Sequence, residues 1–254
     1  MLRKDSCLIK TGLITPDTHF NKHDKRAYEL HMRFAEDFKP DVWVHLGDMG
    51  NFDGVSHWNK DRFQEQMENP IEDDYLECHK FNKHRRRICP KGDLYQLDGN
   101  HEDWVIEWGR KFPAIAMMAN IDRWTGANDF KIKRIRRADQ PIKIGKIYFI
   151  HGWYTNKYHA NKHSQFIHGN LVYGHTHDMQ EIHSSNIDSS HRQVVTSMGH
   201  LMDESKATYL KNRPTDWMQG FGLFFMDTKT GLFSLYKIRI VRHQFIYNGK
   251  VWKA

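Results

Sequence analysis

The chain has 254 residues, long enough to bury a substantial core as one domain spanning 1–254, and its 39% hydrophobic and 27% charged residues match an ordinary globular protein. No run of about 18 apolar residues occurs, so a membrane-spanning helix is excluded. The formal charge of +7 concentrates in Lys80–Arg87 and Lys131–Arg137, which read either as a surface that gathers polyanions such as nucleic acid or as solvated faces.

Predicted elements alternate between strand and helix in the first half. Ile9–Ile14 reads as a strand leading to Pro16-Asp17. Asp24 to Phe38 carries Ala27, Leu30, Phe34 and Phe38 near helical spacing, and Pro40 stops it. Val42–Leu46 is a buried strand ending at Gly47-Asp48, and Pro70 to Ile88 is a charged helix. Leu94–Leu97 is a strand ending at Asp98-Gly99, followed by helical stretches at His101–Arg110 and Pro113–Ile121. The second half is richer in strands. Lys146–Ile150 ends at His151-Gly152, Lys157–Ile167 is helical, and Leu171–Tyr173 ends at Gly174. Val194–Met198, Gly222–Met226 and Phe233–Val241 are strand-like, and Asn248-Gly249 marks a late hairpin. This order predicts a layered α/β sandwich.

The opening segment has neither the long apolar centre nor the cleavage site of a signal peptide. Cys7, Cys78 and Cys89 have no paired metal spacing and read as reduced thiols, which points to a cytoplasmic protein.

Five of the strands end in clusters of Asp, Asn or His, and in α/β folds loops from distant segments meet at the carboxyl ends of strands. Asp17-Thr18-His19 places a carboxylate beside an imidazole, a pairing that suits ions such as Zn, Mn or Fe. The Asp48 carboxylate has two oxygens and can bridge two ions. Asn100 offers a neutral oxygen and also reads as a cap for the helix that follows, and both roles can hold together. His101 can bond a substrate or protonate a leaving oxygen. His151 reads as a ligand or as a satisfied core histidine, and Gly174-His175-Thr176-His177 supplies two imidazoles from one loop.

In this order, with Gly47, Gly99 and Gly174 in place, the motifs over residues 17–177 resemble the calcineurin-like metallophosphoesterase superfamily. The resemblance implies a four-layer α/β/β/α sandwich of two mixed sheets flanked by helices. It implies two divalent metal ions, Mn foremost, with Fe, Zn, Co or Ni also compatible. One ion would take Asp17, His19, Asp48 and His177; the other would take Asp48, Asn100, His151 and His175. A metal-bridging hydroxide would attack phosphorus, with His101 beside the phosphate as the catalytic residue.

The chain departs from the protein Ser/Thr phosphatase branch. There Asn51 stands for the Asp that orients the catalytic histidine, and Phe52 for the phosphate-binding Arg. The Gly-His-Thr-His loop is instead similar to phosphodiesterase and nuclease branches. A phosphodiester of a nucleotide or nucleic acid is the expected substrate. The alternatives are a phosphomonoesterase or protein phosphatase with the same centre, and a nucleic-acid-binding module with a structural metal. No obligate protein partner is expected. Trp58, Trp104, Trp108, Trp153 and Trp217 are candidate stacking surfaces. His57–Lys60 and the 202–219 loop are candidate walls of a cleft.

Overall fold

The computed structural model describes residues 8–185, 192–211 and 213–254. Among the described residues thirteen strands run as β1 (Ile9–Thr15), β2 (Val42–His45), β3 (Asp93–Leu97), β4 (Lys133–Ile135), β5 (Ile142–Ile144), β6 (Ile147–Ile150), β7 (Asn170–Tyr173), β8 (Glu181–Ser185), β9 (Arg192–Ser197), β10 (Gly220–Asp227), β11 (Phe233–Arg239), β12 (Gln244–Tyr247) and β13 (Lys250–Lys253). The α-helices are α1 (Lys25–Phe38), α2 (Phe63–Glu68), α3 (Ile71–Ile88), α4 (Asn100–Lys111), α5 (Ile121–Trp124) and α6 (His159–Phe166).

Two mixed sheets pack face to face. The first has the order β11-β10-β1-β2-β3-β4, with β1 through β4 parallel and β10 and β11 antiparallel additions. The second has the order β5-β6-β7-β9-β8, in which β6, β7 and β9 are parallel. The pleat explains why Leu13 and Ile14 of β1 and Val42–Val44 of β2 are apolar on both faces. Ile14, Val42 and Val44 point between the sheets and pack with Phe149, Val172 and Phe224. Leu13 and Trp43, one residue out of phase, join α1 and α3 through Leu30, Phe34 and Phe81. Outside the second sheet, Leu171 and Val195 pack against Ala160 of α6. The result is the expected helix–sheet–sheet–helix layering.

Helix limits follow local chemistry. The Asp24 carboxylate caps α1 by accepting from the backbone N–H groups of Arg26 and Ala27. The predicted strands and helices are present with ends shifted by a few residues. Residues Pro113–Ala119 form a 3-10 segment rather than an α-helix. The late hairpin turns at Asn248-Gly249 between β12 and β13.

Much of the basic surface expected at Lys80–Arg87 is occupied by structural contacts. Arg85 is fully buried, donates to the carbonyls of Trp43 and Tyr95, and lies over the Trp43 and Phe81 rings. Arg86 donates to the carbonyls of Cys89, Gly92, Phe130 and Lys131, and Arg87 pairs with Glu36. In the second run, Arg134 pairs with buried Asp98 and with Asp122. Cys78 and Cys89 are buried free thiols, and Cys7 lies outside the described residues. Among the described residues no helix is long and apolar enough to cross a membrane.

Candidate metal centre

Because β1, β2 and β3 are parallel in one sheet and β6 and β7 are parallel in the other, their carboxyl ends deliver five loops to one place. Asp17, His19, Asp48, His151 and His177 are buried there, and Asn100, His101 and His175 are partly buried. The donor atoms form overlapping sets: Asp17, His19 and His177; His19, Asp48 and His101; and Asp48, His151 and His175. Within each set the atoms lie within 4.8 Å of one another, so the clusters could hold metal ions.

Asp48 belongs to both sides. Its Oδ2 is 3.3 Å from His151 Nε2 and 3.9 Å from His19 Nε2, while its Oδ1 accepts from the His101 backbone N–H at 3.0 Å. The Nδ1–H of His151 donates to the Leu46 carbonyl at 3.0 Å, which leaves Nε2 as the lone-pair nitrogen. That nitrogen also faces Asn100 Oδ1 at 3.1 Å. Three electron-rich atoms thus converge where only a cation or a proton relieves their repulsion. On the other side His19 Nε2 and His177 Nε2 are 3.1 Å apart, and Asp17 Oδ2 is 3.2 Å from His177 Nε2. Mixed carboxylate, amide and imidazole donors suit a first-row divalent metal, so the residues present fit the implied ions.

Proton affinities carry the mark of this crowding. Burial depresses the His151 imidazole, but Asp48 and Asp17 outweigh it and raise the group to about 9. Burial raises the Asp48 carboxyl, yet His151 and His101 overturn that and hold it well below the usual range. Burial lifts Asp17 to about 6 and, with His151 beside it, pushes His175 down to about 3.

Backbone conformation is also exceptional at the site. His19, Asp48, His175 and His177 have φ of 50°, 48°, 72° and 62°. Each left-handed L-residue costs about 1–2 kcal/mol, and such outliers gather where function demands them. Close packing fixes two glycines. A Cβ on Gly99 would lie 2.1 Å from Asp48 Oδ1, and one on Gly174 would lie 2.2 Å from Asp17 Oδ1.

Further residues support the loops without facing the cleft. Buried Glu102 accepts from the backbone N–H groups of Asp48, Met49 and Gly99 at 3.0, 2.9 and 2.8 Å. His45 accepts from Gly47 N–H and faces Thr18 Oγ1, joining the first two loops. His200, after β9, stacks on His177 with ring centroids 5.1 Å apart, and its Nδ1 accepts from the Met202 N–H. Sequence reasoning missed these three. Glu102 stands three residues after Gly99, the spacing of a helix-start carboxylate, and Gly199-His200 repeats the strand-then-Gly-His pattern.

At α4 the capping alternative for Asn100 gives way, and His101 finds a partner in the loop after β2. Gly99, not Asn100, is the N-cap, so the Asn100 side chain is free to face His151. His101 is oriented by the main chain at position 51: its Nδ1–H donates to the Asn51 carbonyl at 2.6 Å. Phe52 is fully buried, packing with Tyr75, Val105 and Ile121.

A cleft of about 530 Å³ opens over the donors. Of the candidate stacking residues, Trp58, Trp104 and Trp217 line it, and Trp108 and Trp153 do not. From the 202–219 loop, Met202, Tyr209 and Trp217 reach the cleft, and Asn212 lies outside the described residues.

No known family profile matches the chain. Over 97% of its length it is 24% identical to the full-length gene 54 proteins of Mycobacterium phages D29 and L5. Among solved structures it is similar to the Pseudomonas putida nuclease MPE, at 10% identity and a TM-score of 0.39, covering 95% of this chain and 86% of that one.

Proposed function

We propose that this chain is a single-domain calcineurin-like metallophosphoesterase, a dinuclear metal-dependent hydrolase acting on phosphodiesters of nucleotides or nucleic acid. The observation that carries the reading is the Asp48 carboxylate, whose Oδ2 faces imidazoles of two donor clusters at 3.3 and 3.9 Å. Asp17, His19, Asp48 and His177 would hold one divalent ion, and Asp48, Asn100, His151 and His175 the other, with Mn the first candidate. When bound, such a pair supplies Lewis acidity, lowers the pKa of water and neutralises phosphate charge.

The chain's own groups do the rest. His101 is the proposed catalytic residue. Its Nδ1–H is committed to the Asn51 carbonyl, so its Nε2 is the nitrogen left to carry a proton to the leaving oxygen. Trp104, with its ring centroid 3.8 Å from that of His101, restricts the imidazole's rotation. The buried Phe52 leaves no guanidinium at that position for the second charge of a monoester, which favours a diester.

The test compares bis-p-nitrophenyl phosphate, p-nitrophenyl phosphate, single-stranded DNA and RNA after chelator treatment and Mn addition. The expectation is Mn-dependent cleavage of diesters, abolished in His101→Ala with metal content retained. Preference for the monoester overturns the diesterase reading, and no cleavage of any ester at full metal loading overturns the enzyme.

A further inference from the structure

One wall of the cleft is a ladder of aromatic rings that begins at His101 and leads away from the metal donors. The Trp104 ring lies 3.8 Å from His101 at an interplanar angle of 35°. His57 meets Trp104 edge-on at 5.7 Å, and Trp58 leans on His57 at 4.5 Å and 39°. The last ring is 73% exposed, although it borders the same cleft as His19, Asp48 and His177. An indole left this open, supported from behind by another ring, offers a flat π-face to something that is not part of the fold. The 3-10 segment that carries His57 and Trp58 is held in place: the Ser56 side chain accepts from the Trp58 N–H, and the Asn59 amide donates to the Asp53 carbonyl.

We infer that the Trp58 face is a stacking subsite for an unpaired nucleobase attached to the phosphodiester held at the metal donors, so that the substrate is single-stranded nucleic acid. This rests on the phosphodiesterase reading and adds a location and a strandedness to it. Ring faces suit a base because every base has a π-face, and stacking is sequence-tolerant. Arg62 and Lys22, the latter ion-paired with Asp53, border the cleft, where cationic side chains suit the flanking backbone phosphates. A base within a duplex has both faces covered by neighbours, so it reaches Trp58 only after unstacking.

The experiment measures binding by fluorescence anisotropy, with chelator present, for a labelled oligo(dT), an abasic oligomer of equal length and a duplex of equal length. The wild-type chain is expected to bind oligo(dT) about 5- to 150-fold more tightly than the abasic strand, the factor equivalent to roughly 1–3 kcal/mol of stacking per base. Trp58→Ala is expected to bring that ratio close to one, and Trp58→Phe to keep most of it. Equal affinity of the wild type for oligo(dT) and the abasic strand overturns the subsite, as does an unchanged ratio in Trp58→Ala. A duplex bound as well as oligo(dT) overturns the strandedness. Cleavage with Mn is scored separately: oligo(dT) bound with base dependence but never cut leaves the subsite standing and removes the enzyme, whereas cutting without base dependence does the reverse.

Discussion

Replacing Glu102 probes the loop that carries Asp48. Its carboxylate accepts from the Asp48, Met49 and Gly99 N–H groups, and the residue has no exposure to water. Glu102→Ala deletes both oxygens and strands these three buried donors together with the more distant Gly50 N–H, four in all. A buried donor left without a partner costs about 1–3 kcal/mol, so the loss is set at roughly 3–6 kcal/mol after some water enters the space. Against a typical total of about 5–15 kcal/mol this is severe. Glu102→Gln keeps one carbonyl oxygen and turns the other position into an N–H₂ facing an N–H, for a smaller loss of about 1–3 kcal/mol. Burial and the nearby Asp48 raise Glu102 to about 7, so the comparison is made at pH 8, where the carboxylate is ionised. Urea unfolding followed by circular dichroism, with chelator present, reads stability. Calorimetric titration reads Mn, for which about a 10- to 100-fold loss of affinity is expected in the alanine variant, because Glu102 fixes a ligand loop. Glu102→Ala within about 1 kcal/mol of wild type, or Gln as damaging as Ala, refutes the clamp.

The other predictions use the same logic. Gly99→Ala places a methyl group 2.1 Å from Asp48 Oδ1, so Mn affinity should collapse by calorimetry while circular dichroism stays native; unchanged affinity would contradict the packing argument. Metal removal should lower the thermal midpoint, and Mn at 100 times its Kd should restore about 2.7 kcal/mol of stability; no shift on chelation would exclude the centre. Burial, helped by Arg85, depresses His31 to about 3. The unfolded chain protonates this group near 6.5 and the folded chain does not, so stability is flat above that pH and falls between about 6.5 and 3. At pH 5 His31 alone accounts for about 2 kcal/mol of loss, which His31→Gln should remove from the difference between denaturation at pH 8 and at pH 5; an identical difference in the variant would be the contrary result.

The strand ends were the most readable part of the chain. Buried parallel strands are short apolar runs, and a run such as Val42–Leu46 followed by Gly-Asp announces both the strand and the loop it delivers. The strands that escaped notice are β4, β5 and β8, of 3, 3 and 5 residues. β4 carries Lys133 and Arg134 inside a basic run, and β8 alternates half-buried and exposed residues at a sheet edge. Their pairing is decided by the neighbouring strand rather than by their own composition. Arg85 misled for a related reason: a charge within a basic helix reads as solvated until the carbonyls of Trp43 and Tyr95, supplied by two other strands, come within its reach. The motif glycines and donors were visible at their positions, but Glu102, His45 and His200 act through the backbone or behind another ring, where residue identity alone carries little signal.

The grip on His101 has a consequence for how this chain tolerates change. A carbonyl oxygen belongs to every amino acid, so the contact made at position 51 survives any side chain that leaves the peptide where it is. The N–H of Asn51 is tied to Asp74 Oδ1 at 3.0 Å and to the Phe20 carbonyl at 3.2 Å, and these tethers, not the side-chain amide of Asn51, hold the backbone at this position. Among diverging descendants, position 51 would drift in identity while the imidazole's aim is inherited intact, and selection would be felt 23 residues further along the chain, on an aspartate in the first turn of α3.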